Sequence, residues 1–95
     1  MSTARATVAI DDARIRVTTW TFEQAGDSTG PHRHDYDYVV IPVTGGTFTV
    51  TDADGNTREM TQHAASPYRG TAGTDHEVVS SSDTSVVFVE VELKG

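Results

Sequence analysis

The sequence predicts an all-β fold, a sandwich or a barrel, in a single domain spanning residues 1–95. Three observations support this prediction. Segments rich in β-branched and aromatic residues recur at a spacing of about 8–12 residues, with turn residues between them. No segment of helical length carries apolar residues at the spacing of an amphipathic helix. The length of 95 residues suits one domain and is too short for two.

The predicted strands follow one another along the whole chain. The first lies at 7–10 and ends at the turn residues Asp11 and Asp12. The second, at 14–22, changes the parity of its apolar residues at Trp20 and Phe22, which indicates a bulge or a strand covered on both faces. Further strands are predicted at 38–44, 47–51, 56–61, 66–70, 77–80 and 86–93.

Two positions constrain how these strands pair. Asp54-Gly55 is a strong hairpin signal between neighbouring strands. Pro42 has no N–H to donate to a sheet ladder, so we expect it at an edge or at a bulge. In the last strand the apolar residues at odd positions face one way, while Glu90 and Glu92 face the other.

Charge and composition exclude several kinds of partner. The net charge is −7, with 7 Lys and Arg against 14 Asp and Glu, which argues against binding to nucleic acid or to an anionic membrane. The chain has no cysteine, so it has neither disulfides nor a thiolate metal site. No apolar run has the length of a signal peptide or a membrane span, and we therefore expect the protein in the cytoplasm.

Three of the four histidines form a candidate metal site. His32 and His34 are two residues apart, so in an extended chain both side chains leave the same face. Two imidazoles on one face can share an ion at about 2.0–2.2 Å from each nitrogen. His76, which opens a predicted strand, is the candidate third ligand from a distant part of the chain. A His-x-His pair alone is equally compatible with a surface pair in a polar loop.

The residues around these histidines match two spaced motifs. Gly26 is followed after five residues by the pair at 32 and 34, after three more by Tyr38, and after six more by Gly45. This spacing resembles the first motif of the cupin superfamily, in which Glu stands where this chain has Tyr38. The segment 71–80 resembles the second cupin motif, in which Gly73 and His76 match while Thr71 replaces Pro and Ser80 replaces Asn.

The resemblance implies a cupin-type jelly-roll β-barrel. It assigns His32, His34 and His76 as ligands of one divalent metal ion. The segments 14–22, 29–34, 37–40 and 87–94 also look like those of small single-domain cupins described as β-alanine degradation proteins. That narrower similarity implies a fold and a metal rather than a particular reaction.

The loss of the carboxylate ligand at position 38 affects the predicted chemistry. Three neutral imidazoles leave the ion with its full charge, so anionic substrates bind more readily. Cupins with three histidines and no Glu include oxygenases, and the metal can be Fe, Zn, Ni, Mn or Cu. We expect a metalloenzyme of dioxygenase, isomerase or lyase type that acts on a small carbonyl or carboxylate compound. The alternative is a non-catalytic cupin module that binds a metal or a small ligand.

Tyr38 is the candidate catalytic residue, since its phenol could lie near the open coordination positions. The competing interpretation is an aromatic residue that fills the core. Asp35 and Asp37 point away from the histidine face by alternation, unless a local bulge turns one of them inward. We expect His63 in a surface turn, and Arg69 either as an anchor for a substrate carboxylate or as a solvent-facing residue.

The terminal strand suggests an oligomer. The segment 86–93 is apolar along one face, and an unpaired strand edge of this kind is normally covered. Small cupins commonly pair through terminal strands, so we expect a homodimer.

Overall fold

Nine β-strands make up the regular structure of residues 2–95, the part of the chain that this computed structural model describes. No residue in this range is helical. The strands are β1 (Arg5–Asp11), β2 (Ile15–Phe22), β3 (His32–Arg33), β4 (Asp37–Pro42), β5 (Gly46–Asp52), β6 (Thr57–Gln62), β7 (Tyr68–Gly70), β8 (Asp75–Ser80) and β9 (Val86–Leu93). The predicted all-β fold is confirmed, and the ends of the eight predicted strands differ by no more than two residues from those observed. The two-residue strand β3 was not predicted.

The strands form two antiparallel sheets. One has five strands in the order β1-β2-β9-β4-β7, and the other has four in the order β3-β8-β5-β6. The last strand, β9, pairs with both β2 and β4, so neighbours in the sheet are distant in the chain. The expectation that segment 86–93 forms an unpaired strand edge is therefore wrong, because both edges of β9 are occupied. This topology is that of a jelly-roll barrel.

The interior of the barrel is apolar at one end and polar at the other. The paired residues of β2 and β9 change along the strands from Phe22–Val86 to Arg16–Glu92. Phe22 is completely buried, and its ring centroid lies 5.2 Å from that of Phe48 in an edge-to-face arrangement. Aromatic packing therefore closes one end of the barrel and leaves the other for polar side chains.

The face of β9 that carries Glu90 and Glu92 is the inner face. Both glutamates are 8% exposed, and they alternate with valines that lie on the outside of the barrel. Glu92 accepts two hydrogen bonds from Arg16, at 2.8 and 3.2 Å, which compensate for the burial of its charge. Val86 and Phe88 are buried on the same face, so the inner face of this strand is apolar at one end and charged at the other.

The outer face of the five-stranded sheet carries the apolar residues of several strands. Val17, Val91 and Val39 stand side by side on adjacent strands, and the next row contains Val89 and Ile41. We call these five residues the outer patch. Ile41 is 36% exposed. Nothing in the described residues covers this face.

Pro42 and the parity change in β2 both have local explanations. Pro42 ends β4, beyond the three residues that pair with β7, and its carbonyl accepts a hydrogen bond from Ala65 N at 3.0 Å. No ladder donor is needed there, as predicted. β2 is at least partly buried at both parities, while the bulge lies in β1 between Val8 and Ile10.

Within residues 2–95, no helix could serve as a membrane span.

Candidate metal centre and interior cavity

The two predicted ligand segments lie side by side. β3 pairs with β8, and His32 stands opposite His76. The pairing continues past β3, where His34 N donates to Thr74 O and Gly73 N donates to His34 O, both at 2.8 Å. Gly73 has a φ of +89°, a left-handed conformation that favours glycine, at the turn into β8. This short ladder therefore brings the three histidines together.

The three imidazoles converge through their Nε2 atoms. The Nε2 atoms of His32 and His34 are 3.1 Å apart, and those of His34 and His76 are 3.2 Å apart. Two nitrogens bound at right angles to one ion, each at about 2.0–2.1 Å, would lie about 3 Å from each other. The observed spacing fits a single ion, and the cluster could hold a divalent metal.

Neighbouring groups fix the orientation of two of the rings. His32 Nδ1 lies 3.0 Å from Gly30 O, so in the tautomer that donates this hydrogen bond the Nε2 lone pair is free for a metal. The ring of His34 stacks on that of Tyr38, with centroids 3.9 Å apart and an interplanar angle of 19°. Both rings therefore present Nε2 to the common point.

The protonation of the cluster also favours metal binding. Burial and the neighbouring His32 lower the pKa of His34 to about 4. Burial, together with His32 and His34, lowers the pKa of His76 to about 4. At neutral pH both imidazoles are therefore uncharged, which is the form that binds a metal.

No carboxylate belongs to the cluster in residues 2–95. Asp35 and Asp37 are both exposed, and Asp37 Oδ1 accepts a hydrogen bond from Ala72 N at 2.8 Å. The nearest buried acid is Glu90, whose Oε1 lies 4.0 Å from His34 Nδ1, the ring nitrogen that faces away from the cluster. The cluster that could hold a metal therefore consists of three imidazoles.

Glu90 has an unusual environment for a glutamate. Burial raises the pKa of Glu90 to about 7, and the charge of nearby Glu92 acts in the same direction. Trp20 and Arg16 oppose this effect. A carboxyl group with this pKa exists in both protonation states near neutral pH, inside the barrel and beside a candidate ligand.

The aromatic ring of Tyr38 packs against the imidazole of His34. Its side chain is buried, at 5% exposure, and its ring packs flat against the backbone of Gly70, where there is no space for a Cβ. Burial raises the pKa of the Tyr38 phenol. The ring is thus held between Gly70 and the His34 imidazole, and it also lines the interior cavity.

An interior cavity of about 340 Å³ adjoins the cluster. Its apolar wall is formed by side chains of both sheets, including Trp20, Val40, Met60 and Phe88. Glu90, Gln62 and Tyr68 contribute polar groups, and His32 and His76 border it. The volume and the mixed lining suit one small organic molecule.

Gln62 is almost completely buried, with 3% exposure. Its Nε2 donates to Tyr68 Oη at 2.9 Å, and the Tyr68 hydroxyl in turn donates to Met60 Sδ at 3.7 Å. Gln62 Oε1 has no hydrogen-bond partner within residues 2–95. A buried amide oxygen without a partner is costly, so this atom is suited to accept a hydrogen bond from a ligand.

Arg58 lies on the same face of β6 as Gln62. It pairs with Val50, whose side chain is buried in the barrel, and it borders the cavity beside His76. Among the residues that the structure describes, Arg58 takes part in no ion pair. Its guanidinium is therefore available for an anionic group at the mouth of the cavity.

Other predicted positions have simpler roles. His63 is exposed, as predicted, although β6 continues to Gln62 and the turn begins later than expected. Arg69 is exposed and pairs with Val39, and it also borders the cavity, so both of its predicted roles stay predictions.

Sequence reasoning missed Arg58, Gln62 and Glu90 as cavity residues. The period-two alternation of Arg58, Met60 and Gln62 was the signal available for the first two. For Glu90, the available signal was that it shares the strand face of the apolar residues Val86 and Phe88.

Comparisons with known proteins agree with this geometry. Beta-alanine degradation protein BauB from Pseudomonas aeruginosa is 43% identical over 88 residues, which are 93% of this chain and 90% of that protein. The crystal structure of a cupin domain from Bordetella pertussis has a TM-score of 0.93 and 39% identity, covering 99% of this chain and 96% of that one.

More distant structures share the fold alone. A cupin superfamily protein from Desulfitobacterium hafniense has a TM-score of 0.74 at 11% identity, covering 97% of this chain and 78% of that one. No protein-family model matches the chain. The jelly-roll topology, the histidine cluster and the two relatives above 30% identity lead to one conclusion: the chain belongs to the cupin superfamily and is a small cupin similar to BauB.

Proposed function

We infer that the protein is a metalloenzyme of dioxygenase, isomerase or lyase type that acts on a small carbonyl or carboxylate compound. The observation that carries this proposal is the convergence of three Nε2 atoms, 3.1 and 3.2 Å apart, at the edge of a cavity of about 340 Å³. Three protein ligands leave coordination positions open, which is typical of catalytic rather than structural sites. A bound divalent ion would supply a Lewis acid for a carbonyl or carboxylate oxygen.

The residues around the cluster support a role in catalysis. Trp20, Val40 and Phe88 line the space next to the histidines with apolar surface, which favours a site with little water. Glu90, with a pKa of about 7, could hold or release a proton within the cavity. Tyr38 stays the predicted catalytic residue; its ring also keeps His34 in place by stacking.

The description of the relative BauB narrows the candidate substrates. BauB is described as a β-alanine degradation protein, and it is 43% identical to this chain. We therefore propose short-chain acids related to β-alanine as the first substrates to test. The cytoplasmic location predicted from the sequence also stays a prediction, which cell fractionation tests.

Metal content provides the first experiment. Protein purified without a histidine tag or nickel resin should contain about one Fe, Zn, Ni, Mn or Cu ion per chain. His76→Ala should lose it, while the matched variant His63→Ala, at an exposed histidine, should keep it. Quenching of the fluorescence of Trp20, the single tryptophan, by added Cu²⁺ gives an independent measure, because its ring centroid lies 6.3 Å from that of His32.

Turnover is tested on the metal-loaded protein. Short-chain oxo, hydroxy and amino acids should be screened by oxygen uptake and by NMR of the products. Consumption of one compound, lost in His76→Ala and retained in His63→Ala, is the expected result. Metal binding without turnover of any compound would instead favour the non-catalytic binding module, and absence of metal from every preparation would contradict the proposed site.

A further inference from the structure

We propose that the cavity binds a short acid in an extended orientation, with its carboxylate at Arg58 and a hydroxyl or ammonium group at Gln62 Oε1. This inference rests on the proposed function, because it specifies the ligand of the same site. The residues that carry it lie on one strand, β6, and none of them is among the candidate metal ligands.

The outer end of the ligand is defined by Arg58. This side chain shares the inward face of β6 with Met60 and Gln62, and it borders both the main cavity and a shallower one beside Asp75 and His76. A guanidinium presents several donors in one plane and binds carboxylates in a bidentate manner. Because Arg58 has no acidic partner within the described residues, a ligand carboxylate would not have to displace one.

The inner end is defined by Gln62. The Nε2–Tyr68 hydrogen bond of 2.9 Å fixes the amide, and Tyr68 directs its own proton to Met60, so Gln62 Oε1 lacks a donor. A buried amide oxygen without a donor selects a ligand group that carries hydrogens, and it disfavours a second carboxylate.

The spacing limits the length of the ligand. Arg58 and Gln62 are four residues apart on one strand, about 13 Å along the backbone. Both residues line the cavity, so a ligand that contacts both of them must fit within this span. The cavity volume of about 340 Å³ also excludes large ligands.

The test compares the binding of matched acids to the protein as purified. Unbranched acids of three to five carbons are used in four forms: unsubstituted, ω-hydroxy, ω-amino and dicarboxylic. Dissociation constants are measured by calorimetry and by the fluorescence of Trp20, which lines the cavity. We expect the hydroxy or amino form to bind about 3- to 10-fold more tightly than the unsubstituted acid, the contribution of one or two hydrogen bonds.

Two pairs of variants assign this preference to residues. Gln62→Met should abolish the preference and leave binding of the unsubstituted acid within about twofold, whereas the exposed control Gln24→Met should bind like the original protein. Arg58→Met should weaken binding of every acid by about tenfold or more, unlike the exposed control Arg14→Met. Melting curves confirm that each variant is folded.

The outcomes separate this inference from the proposed function. Equal binding of all four forms, tightest binding of the dicarboxylic acid, or a preference that survives Gln62→Met would overturn the inference. Selective binding that depends on both residues, without turnover of the bound acid, would contradict the proposed enzyme and leave the inference standing. Turnover of a compound whose binding is unchanged by the Arg58 and Gln62 variants would support the proposed enzyme and overturn the inference.

Discussion

Gly70 provides a direct test of how the histidine cluster is held in place. A Cβ at this position would come closer than 3.0 Å to three atoms of the Tyr38 ring, whereas ordinary contacts begin at 3.4 Å. In Gly70→Ala the ring must therefore retreat by more than 0.4 Å, towards His34 or into the cavity. Either movement disrupts the stacking between the two rings, whose centroids are 3.9 Å apart.

The expected cost follows from overpacking. Forcing an extra carbon into a packed site typically destabilises a protein by about 1–3 kcal/mol. For a domain of this size, each kcal/mol lowers Tm by about 4–8 °C. Metal affinity should also fall by about 10–100-fold, as happens when the support of a ligand is lost. Differential scanning calorimetry and metal titration measure the two effects.

Two further variants make this prediction specific. Gly95→Ala, where an added Cβ meets no atom within 4 Å, should leave both quantities unchanged. In the background Tyr38→Leu, which removes the crowded ring, Gly70→Ala should cost much less than it does alone. If Gly70→Ala retains the original Tm and metal affinity, the Tyr38 ring does not position His34, and this account of the site is wrong.

The remaining predictions concern pH and association. In the metal-free protein, the pKa values of His34 and His76, lowered from 6.5 to about 4, contribute stability that is present above pH 6.5 and lost as the pH falls towards 4. The Tm of the metal-free protein should therefore fall between pH 6.5 and pH 4, and it should fall less in His76→Ala. An equal fall in both proteins would show that the histidines do not cause it. The pKa of Glu90, raised from 4.5 to about 7, has the opposite effect, because its contribution is present below pH 4.5 and lost as the pH rises through 7. Glu90→Gln should therefore gain Tm relative to the original protein between pH 5 and pH 8, and a constant difference would refute this. Finally, we expect a homodimer through the outer patch, so light scattering should give twice the mass of the 10.2 kDa chain. The variant Ile41→Glu should halve the measured mass, whereas the exposed control Thr61→Glu should leave it unchanged. A monomeric mass for the original protein would contradict the dimer.

The sequence predicts the convergence of the three histidines well because its signals are local and chemical. Two histidines at a spacing of two residues leave the same face of an extended chain, and Gly73 marks the turn that leads to His76. The spacing of the two cupin motifs then places both segments in one barrel. The β3–β8 ladder, with His32 opposite His76, confirms this arrangement.

The cavity was harder to predict, because it depends on which strand faces point inward. In β9, Val86 and Phe88 share the inner face with Glu90 and Glu92, while valines occupy the other face, so apolarity alone does not decide between the two faces. The ion pair that accommodates Glu92 inside the barrel joins it to Arg16, 76 positions away. Such distant compensation leaves no periodic signal in the sequence.

The short strand β3 should exchange its amide hydrogens at a rate that depends on bound metal. This strand has two residues, its ladder is with β8 alone, and it carries or adjoins two of the three imidazoles. An ion shared with His76 would join the segment around 30–34 to β8 by bonds that are stronger than its few hydrogen bonds. Amide exchange in this segment should therefore slow markedly when metal is added, even under conditions in which global unfolding changes little.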